Sequence, residues 1–352
     1  MEASLAALRE RIVAARAAGK PLRLRGGGSK DFYGEVLAGE VLDTRGHAGI
    51  VDYEPTELVI TARCGTPLAQ IESVLEEHGQ FLAFEPPAFG GEPTIGGVIA
   101  SGLSGPRRAT AGAARDFVLG AHLMTADGNL LRFGGQVMKN VAGFDLSRLL
   151  CGSLGILGLV AQVSLKVLPR PRAETTLCFE FDAAAAIAQF NRWCAQPLPV
   201  SATAWHGGRA YLRLSGAASA VRAACTMLGG EALAETNAAD FWRSLREQSH
   251  PVFIDSRRLW RLSLPSNAPL ALDGVVLVEW GGALRWSSTM AAAAQVRGAA
   301  TAAGGTATLW RGARDAPMFH PLGAPLLDLH RKLKQQFDPH GIFNPGRLVA
   351  GL

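Results

Sequence analysis

The chain has 352 residues, enough for about two domains with separate cores. Its 48% hydrophobic and 18% charged residues describe a folded globular protein, and a net charge of +5 without a block of like charge argues against nucleic-acid binding. The five cysteines are widely spaced and include no C-x-x-C pair, so we expect neither a disulfide framework nor an iron–sulfur ligand set.

The predicted elements begin with an amphipathic helix, because Leu5, Leu8 and Ile12 recur on one face. Its evenly spread acids and bases are unlike a signal peptide. The strand "PLRL" then leads into three glycines, Gly26 to Gly28. A glycine run costs backbone entropy. Two interpretations remain open: a flexible turn, or a concave loop whose bare N–H groups converge on phosphate oxygens.

A second strand, "ELVITARC", precedes a helix with Thr66 as its N-cap, Pro67 at the first position and Gly79 at its end. Leu68, Ile71 and Leu75 form the apolar stripe of that helix. Residues 85–115 are rich in Gly, Ser, Thr and Pro, which predicts a long functional loop. "DFVLGAHLMTADGNLLRFG" predicts a hairpin. The apolar run 149–165 contains glycines and a glutamine, which favours a buried turn and strand over a membrane helix.

After residue 172 the composition changes to Ala- and Trp-rich segments with alternating strands such as "RAYLRLSG" and "VVLVEWGG". We therefore predict domains at 1–172 and 173–322, followed by a helix and Pro/Gly-rich tail at 323–352. The first domain holds two glycine-rich loops about seventy residues apart and a third, "GSLGILG". Three such loops suggest a long ligand with a diphosphate, although the Rossmann G-x-G-x-x-G fingerprint is missing.

The ordered run "RGGGS…TIGGVIASGLSG…RDFVLG…LMTADGNLLRFGG…KNVAGFDLSRLLCGSLGILGLV", closing with "FDPHGIFNPGRL", resembles the vanillyl-alcohol oxidase/p-cresol methylhydroxylase (PCMH) superfamily. The chain also contains the segments "SGPRR", "FWRSLREQSHP", "LWRLSLP" and "EWGGALRW". Through these it most resembles, within the superfamily, the FAD-binding E subunits of bacterial glycolate oxidases. The resemblance implies an α+β fold: a PCMH-type FAD-binding domain of two α/β subdomains, an α+β cap domain with an antiparallel sheet, and a C-terminal tail that returns to the FAD domain.

The resemblance also implies the cofactor residues. The FAD pyrophosphate would be surrounded by Gly26, Gly27, Gly28 and Ser29, with its other side lined by Thr94, Ile95, Gly96, Gly97, Ser101 and Gly102. The adenosine half would lie near Gly152, Gly155, Ile156 and Gly158, and the isoalloxazine near Asn344 and Arg347. Covalently flavinylated relatives often carry histidine where this chain has Ser29, so we expect non-covalent FAD.

Catalytic relatives bind a metal through an H-x-G-D-G-N-x-H strand, which here corresponds to "EWGGALRW", with Glu279 and Trp286 in the histidine positions. Because indole is no metal ligand, we expect no metal site.

By resemblance, Arg246 could bind a substrate carboxylate; a solvated or interface arginine is the alternative. We assign no catalytic base, since His206, His250, His320 and His330 sit in no recognisable constellation. Lys139 and Asn140 could face the flavin or begin a helix.

The resemblance implies an FAD-binding subunit of a glycolate (2-hydroxy acid) oxidase complex, with a catalytic FAD subunit and an iron–sulfur subunit as partners. It would relay electrons between them or oxidise substrate itself, and the absent metal strand favours the relay. A structural assembly subunit with inert or absent flavin is the alternative, its tryptophans serving as interface anchors or as core. A free-standing reductase would need a nicotinamide site that we do not see. We expect a cytoplasmic location, any attachment to the inner face of the membrane being supplied by a partner.

Overall fold

A computed structural model describes residues 2–135, 145–270 and 272–352. The first half contains α1 (Ala3–Ala17), β1 (Leu22–Arg25), β2 (Glu40–Asp43), β3 (Ile50–Glu54), β4 (Val59–Arg63), α2 (Leu68–Glu77), β5 (Gln80–Phe81), α3 (Ile95–Ser101), α4 (Arg108–Ala111), α5 (Ala114–Phe117), β6 (Val118–Met124), β7 (Leu130–Gly134), α6 (Leu146–Leu149), β8 (Leu159–Lys166) and β9 (Leu168–Pro169). The second half contains β10 (Ala173–Glu180), α7 (Ala183–Cys194), β11 (Val200–His206), β12 (Arg209–Gly216), α8 (Ala218–Leu228), β13 (Glu231–Ala232), α9 (Glu235–Glu247), α10 (Pro251–Ile254), β14 (Leu259–Ser263), β15 (Val275–Glu279), β16 (Leu284–Ser288), α11 (Ala293–Ala302), β17 (Thr306–Arg311) and α12 (Ala324–Phe337).

The chain forms two compact units. The first unit comprises Met1–Leu103, Ala113–Pro169 and Pro321–Leu352, and the second comprises Ser104–Gly112 and Arg170–His320. The segment 104–112 was predicted to lie in the first domain, but it belongs to the second unit because it makes polar contacts there. Arg107 pairs with Glu174 at 2.7 Å, and the Thr110 hydroxyl donates to the Ser201 carbonyl at 2.9 Å. These polar contacts hold the segment to β10 and β11.

The first unit is built on an antiparallel sheet in the order β3-β4-β8-β6-β7, with β1 and β2 as a separate parallel pair. The predicted hairpin is confirmed, since β6 and β7 pair from Gly120↔Gly134 to Met124↔Leu130. The predicted first helix is also confirmed. Its apolar face joins Leu22, Met124 and Phe343 in one buried cluster, so the start and the end of the chain share a core.

Two local predictions were wrong in detail. Thr66 does not cap α2: its hydroxyl donates to the Arg63 carbonyl and accepts from the Gly49 N–H, and Pro67 stands at the N-cap. The predicted long loop at 85–115 contains α3, whose Ile95, Val98 and Ile99 are buried. Alternating small and apolar residues let this glycine-rich stretch form a helix against the core.

The second unit carries an antiparallel sheet in the order β13-β10-β12-β11-β15-β16-β14-β17. Helices α7 and α8 pack on it through one apolar cluster, and α11 packs through another. The tryptophans considered as interface anchors are core residues in this chain, at most 5% exposed: Trp242, Trp260, Trp280 and Trp286. Their burial removes the support that they gave to an assembly role.

The C-terminal segment returns to the first unit, as predicted. Lys334 of α12 is buried and donates to Asp338 at 2.6 Å, to the Ile156 carbonyl at 2.7 Å and to the Phe343 carbonyl at 2.8 Å. Asp338 in turn accepts from the Phe343 N–H at 2.8 Å. This network fixes the tail beside β1, where Leu22 bridges Phe343. Within the described ranges, no helix is long and apolar enough to cross a membrane.

Candidate functional site

The first unit contains an open cleft with an empty volume of about 920 Å³, including the part open to solvent. All but four of the predicted cofactor residues line it: Gly26, Gly27, Gly28, Ser29, Thr94, Gly96, Gly97, Ser101, Gly155, Gly158, Asn344 and Arg347. The fold therefore brings together residues from four separate parts of the sequence, at 26–29, 94–101, 155–158 and 344–347.

One wall of the cleft is a row of backbone donors. The N–H groups of Gly26, Gly27, Gly28 and Ser29 have no acceptor among the residues that the structure describes. All four residues are only partly exposed. Unpaired N–H groups in succession form a concavity that suits anionic oxygens. The wall can therefore hold a phosphate through the main chain.

The glycine run also has a packing reason that the sequence did not reveal. A Cβ at Gly27 would stand 1.7 Å from the Glu92 carbonyl oxygen, and one at Gly26 would stand 2.1 Å from Thr94 Oγ1. Gly28 has φ +75°, and a Cβ there would meet the Arg25 guanidinium at 2.2 Å. The loop thus needs glycine in order to lie against the 92–94 segment, whatever the cleft binds.

Gly97 is different. It lies within α3 and lines the cleft, and a Cβ there would meet nothing nearer than Thr94 Oγ1 at 3.6 Å, an ordinary contact. Glycine within a helix costs about 1 kcal/mol relative to alanine. Because the protein's own packing does not demand glycine here, the bare position fits a ligand that lies against α3. The buried Thr94 hydroxyl beside it has no hydrogen-bond partner.

The charged residues of the cleft are Arg23, Arg25, Lys30, Asp31 and Arg347, so positive charge predominates. Asp31 Oδ2 accepts from Arg23 Nη2 at 2.5 Å and from Arg25 Nε at 3.0 Å. Of these charged residues only Arg347 was predicted from the sequence; Arg23, Arg25, Lys30 and Asp31 were not. The alternation in "LRLR" was the available signal, since it directs both arginines to one face of β1.

Asn344 and Arg347 line the cleft, but their side chains are committed to the protein. Asn344 Nδ2 donates to the Leu154 carbonyl at 2.6 Å, and its Oδ1 accepts from the Leu24 N–H at 2.7 Å. Arg347 donates to the carbonyls of Glu35 at 2.6 Å and Asp31 at 2.8 Å, and also to that of Tyr33. Both residues therefore fix the walls of the cleft.

The four predicted residues that do not line the cleft are Ile95, Gly102, Gly152 and Ile156. Ile95 and Ile156 are buried in the core. Gly102 ends α3 in the left-handed region, and the Gly152 N–H donates to the Ile99 carbonyl at 2.9 Å. They support the lining segments and do not form the surface of the cleft.

Cys64 also lines the cleft, and burial raises the pKa of its thiol to about 12. The thiol is thus protonated, and a poor nucleophile, at neutral pH. No histidine is among the described residues that line the cleft. Lys139 and Asn140 lie outside the described residues.

In the second unit, the two positions compared with metal-binding histidines contact each other. The Trp286 indole donates to the buried Glu279 carboxylate at 2.8 Å. In the described ranges no group of three His, Cys, Asp or Glu side chains could hold a metal ion. Since indole cannot ligate, the pair does not fit a metal. Arg246 is partly buried and pairs with Glu247 at 2.7 Å; its role toward a carboxylate stays a prediction.

Of the C-terminal histidines, His206 and His250 lie together, with ring centroids 4.9 Å apart. The His206 Nδ1 bonds to the Val276 carbonyl, and the His250 Nδ1 accepts from the Val252 N–H. Burial, and then the neighbouring His206, lower the pKa of His250. His320 and His330 bond locally, to Ala307 N–H and to the Leu326 carbonyl.

Comparison with known families gives the class of the protein. A model described as "FAD binding domain" matches residues 3–134, and one described as "FAD linked oxidases, C-terminal domain" matches residues 285–348. A solved structure of alkyldihydroxyacetonephosphate synthase shares the fold, with a TM-score of 0.66 at 16% identity over 97% of this chain and 75% of that one. The protein is an FAD-linked oxidase homologue with an FAD-binding domain, and the predicted α+β architecture is confirmed.

The more particular relationship comes from curated relatives. The chain is 49% identical over 347 residues to the glycolate oxidase subunit GlcE of Escherichia coli (strain K12), covering 98% of this chain and 97% of GlcE. The protein therefore belongs to the GlcE family. It is also 34% identical over 140 residues to the glycolate oxidase subunit GlcD of Bacillus subtilis (strain 168), which covers 40% of this chain and 30% of GlcD.

Proposed function

We propose that the chain binds FAD non-covalently in the cleft and serves as an electron-relay subunit of a glycolate (2-hydroxy acid) oxidase complex. The observation that carries the proposal is the bare, positively charged wall of the cleft. Backbone N–H groups of residues 26–29 would hold the diphosphate, and the surface at Gly97 leaves room for the ligand. Asn344 and Arg347 would fix the walls between which the cofactor lies.

When bound, flavin accepts a hydride and releases single electrons, which is the chemistry that a relay needs. The protein's own residues supply binding and electrostatics. Cationic Arg23 and Arg25 offset the diphosphate charge, and the apolar Leu154, Leu159 and Val160 limit water on another side of the cleft. The protonated Cys64 thiol and the absence of histidine from the described lining support non-covalent binding.

The relay, as opposed to autonomous catalysis, is supported by the second unit. The Glu279 carboxylate is engaged by the Trp286 indole, so these residues offer no metal and no free base for a 2-hydroxy acid. Substrate oxidation would then belong to a sister subunit, and onward transfer to an iron–sulfur partner. The 49% identity to GlcE supports membership of such a complex, in the cytoplasm or held at the membrane by a partner.

The test is the visible spectrum of the purified chain, recorded anaerobically before and after glycolate, and again after a catalytic sister subunit is added. Flavin bands that persist with glycolate and bleach only with the sister subunit are the expected result. Bleaching by glycolate alone would overturn the relay, and bands that never bleach would indicate an inert flavin. A folded but colourless protein after incubation with FAD would overturn cofactor binding. Denaturation should release all the flavin into solution if it is non-covalent.

A further inference from the structure

Asp31 is an unexpected charge for a cleft that would receive a diphosphate. Its carboxylate lines the same cleft as the glycine loop, three residues beyond Gly28. A carboxylate beside two phosphate groups is repulsive, and partial burial strengthens that repulsion relative to water. A residue in this position therefore needs an explanation other than direct binding.

The contacts of Asp31 supply one. A single carboxylate oxygen, Oδ2, accepts from both Arg23 and Arg25. The three side chains are partly shielded, with exposed fractions of 21% for Arg23, 38% for Arg25 and 34% for Asp31. Asp31 thus offsets one of the two positive charges and reduces the repulsion between the two guanidinium groups.

The same guanidinium groups keep donors available. Arg23 Nε is buried without a hydrogen-bond partner. Of the described residues none accepts from the Nη atoms of Arg25, whose guanidinium lies against Gly28 in the glycine loop. Guanidinium groups bind phosphate oxygens with paired, charge-assisted hydrogen bonds.

Building on the FAD proposal, we propose that the Asp31 carboxylate competes with the FAD diphosphate for Arg23 and Arg25. The carboxylate holds Arg23 and Arg25 in place, and the diphosphate of the dinucleotide takes over part of its bonding with them. Asp31 would thereby stabilise the ligand-free loop and lower the affinity for FAD. It is a positioning residue that sets how readily the cofactor is exchanged.

The test compares wild type with Asp31→Asn, which keeps the shape and an acceptor oxygen but removes the charge. FAD binding, measured by flavin fluorescence, should tighten about tenfold at low ionic strength and less at high salt, where screening is stronger. Riboflavin, which has no phosphate, should bind both proteins equally. Without ligand the variant should melt at a lower temperature than wild type, whereas saturating FAD should reduce or reverse that difference.

The matched control is Glu40→Gln, which removes the carboxylate that pairs with Arg11 at 2.9 Å in the same unit. It should leave FAD affinity unchanged. Asp31→Ser serves as a second variant if Asp31→Asn fails to fold. Weaker or unchanged FAD binding in folded Asp31 variants would overturn this inference while leaving the FAD proposal intact. Failure of folded wild type to bind FAD would overturn both.

Discussion

Asn344 joins two elements that lie far from it in sequence: its amide donates to the Leu154 carbonyl at 2.6 Å and accepts from the Leu24 N–H at 2.7 Å. Asn344 itself has a φ of 41°, in the left-handed region where asparagine is more tolerated than most residues. One side chain thus ties β1 to the 152–158 turn and completes the cleft.

Asn344→Ala should therefore destabilise the first unit and weaken FAD binding together. Loss of the amide leaves the Leu24 N–H and the Leu154 carbonyl without their partner, which costs about 1 to 3 kcal/mol of unfolding free energy. The measurements are chemical denaturation and FAD titration. As a control, Asn191→Ala removes an amide that donates to the Ile187 and Gly281 carbonyls in the second unit. It should lower stability without changing FAD affinity; a similar loss of affinity in both variants would contradict a local role.

Gly97→Val should abolish or strongly reduce FAD binding while the protein still folds. A Cβ at this position meets no protein atom nearer than Thr94 Oγ1 at 3.6 Å, and the bulk of valine would occupy the cleft beside α3. The control is Gly298→Val, since Gly298 lies in α11 with nothing within 4 Å of a Cβ, and carries the same helix-propensity change. Flavin content after purification reports the result. Full flavin content in Gly97→Val would refute the placement of the cofactor against α3.

Lys334→Met should cost about 3 to 5 kcal/mol of stability, because it leaves the Asp338 carboxylate buried without its cation. Burial already lowers the pKa of Lys334, although its bond to Asp338 opposes that shift. Arg331→Met on the same helix removes an exposed pair with Asp328 and should change stability by less than about 0.5 kcal/mol. Urea denaturation separates the two expectations, and equal effects would mean that the buried network adds little.

The stability of the first unit should fall as the pH decreases through about 6.5. Burial lowers the pKa of His47, whose ring Nδ1 hydrogen-bonds with the Ser4 hydroxyl at 2.8 Å. The unfolded chain then takes up a proton at a higher pH than the folded chain, so stability is complete above 6.5 and is lost toward the lower folded pKa. His47→Gln should flatten this dependence in chemical denaturation recorded over a series of pH values. An unchanged slope in His47→Gln would assign the acid sensitivity to other groups.

Features set by residues close together in the sequence could be predicted, whereas contacts between residues far apart in the sequence could not. The helical spacing of Leu5, Leu8 and Ile12 predicted the first helix, because this periodicity is a local pattern. The turn residues at 125–129 predicted the hairpin. The glycine-rich loops predicted a ligand cleft, because a backbone that is approached closely by a ligand or by another segment favours glycine. Contacts between residues far apart in the sequence could not be predicted: nothing near Gly27 indicates that Glu92 lies against it, and nothing near Asn344 indicates its bonds to Leu24 and Leu154.

The return of residues 321–352 to the first unit has a consequence for biosynthesis. The bond between Asn344 and Leu24 spans 320 positions, and the Lys334 network reaches back to Ile156. A chain emerging from the ribosome cannot close the cleft until residues 321–352 have cleared the exit tunnel. Until then the cleft of the first unit lacks part of its wall, and contacts between residues so far apart in the sequence form slowly. Cofactor loading is therefore expected to follow synthesis of residues 321–352, and truncation within this segment should yield protein that neither retains flavin nor escapes proteolysis.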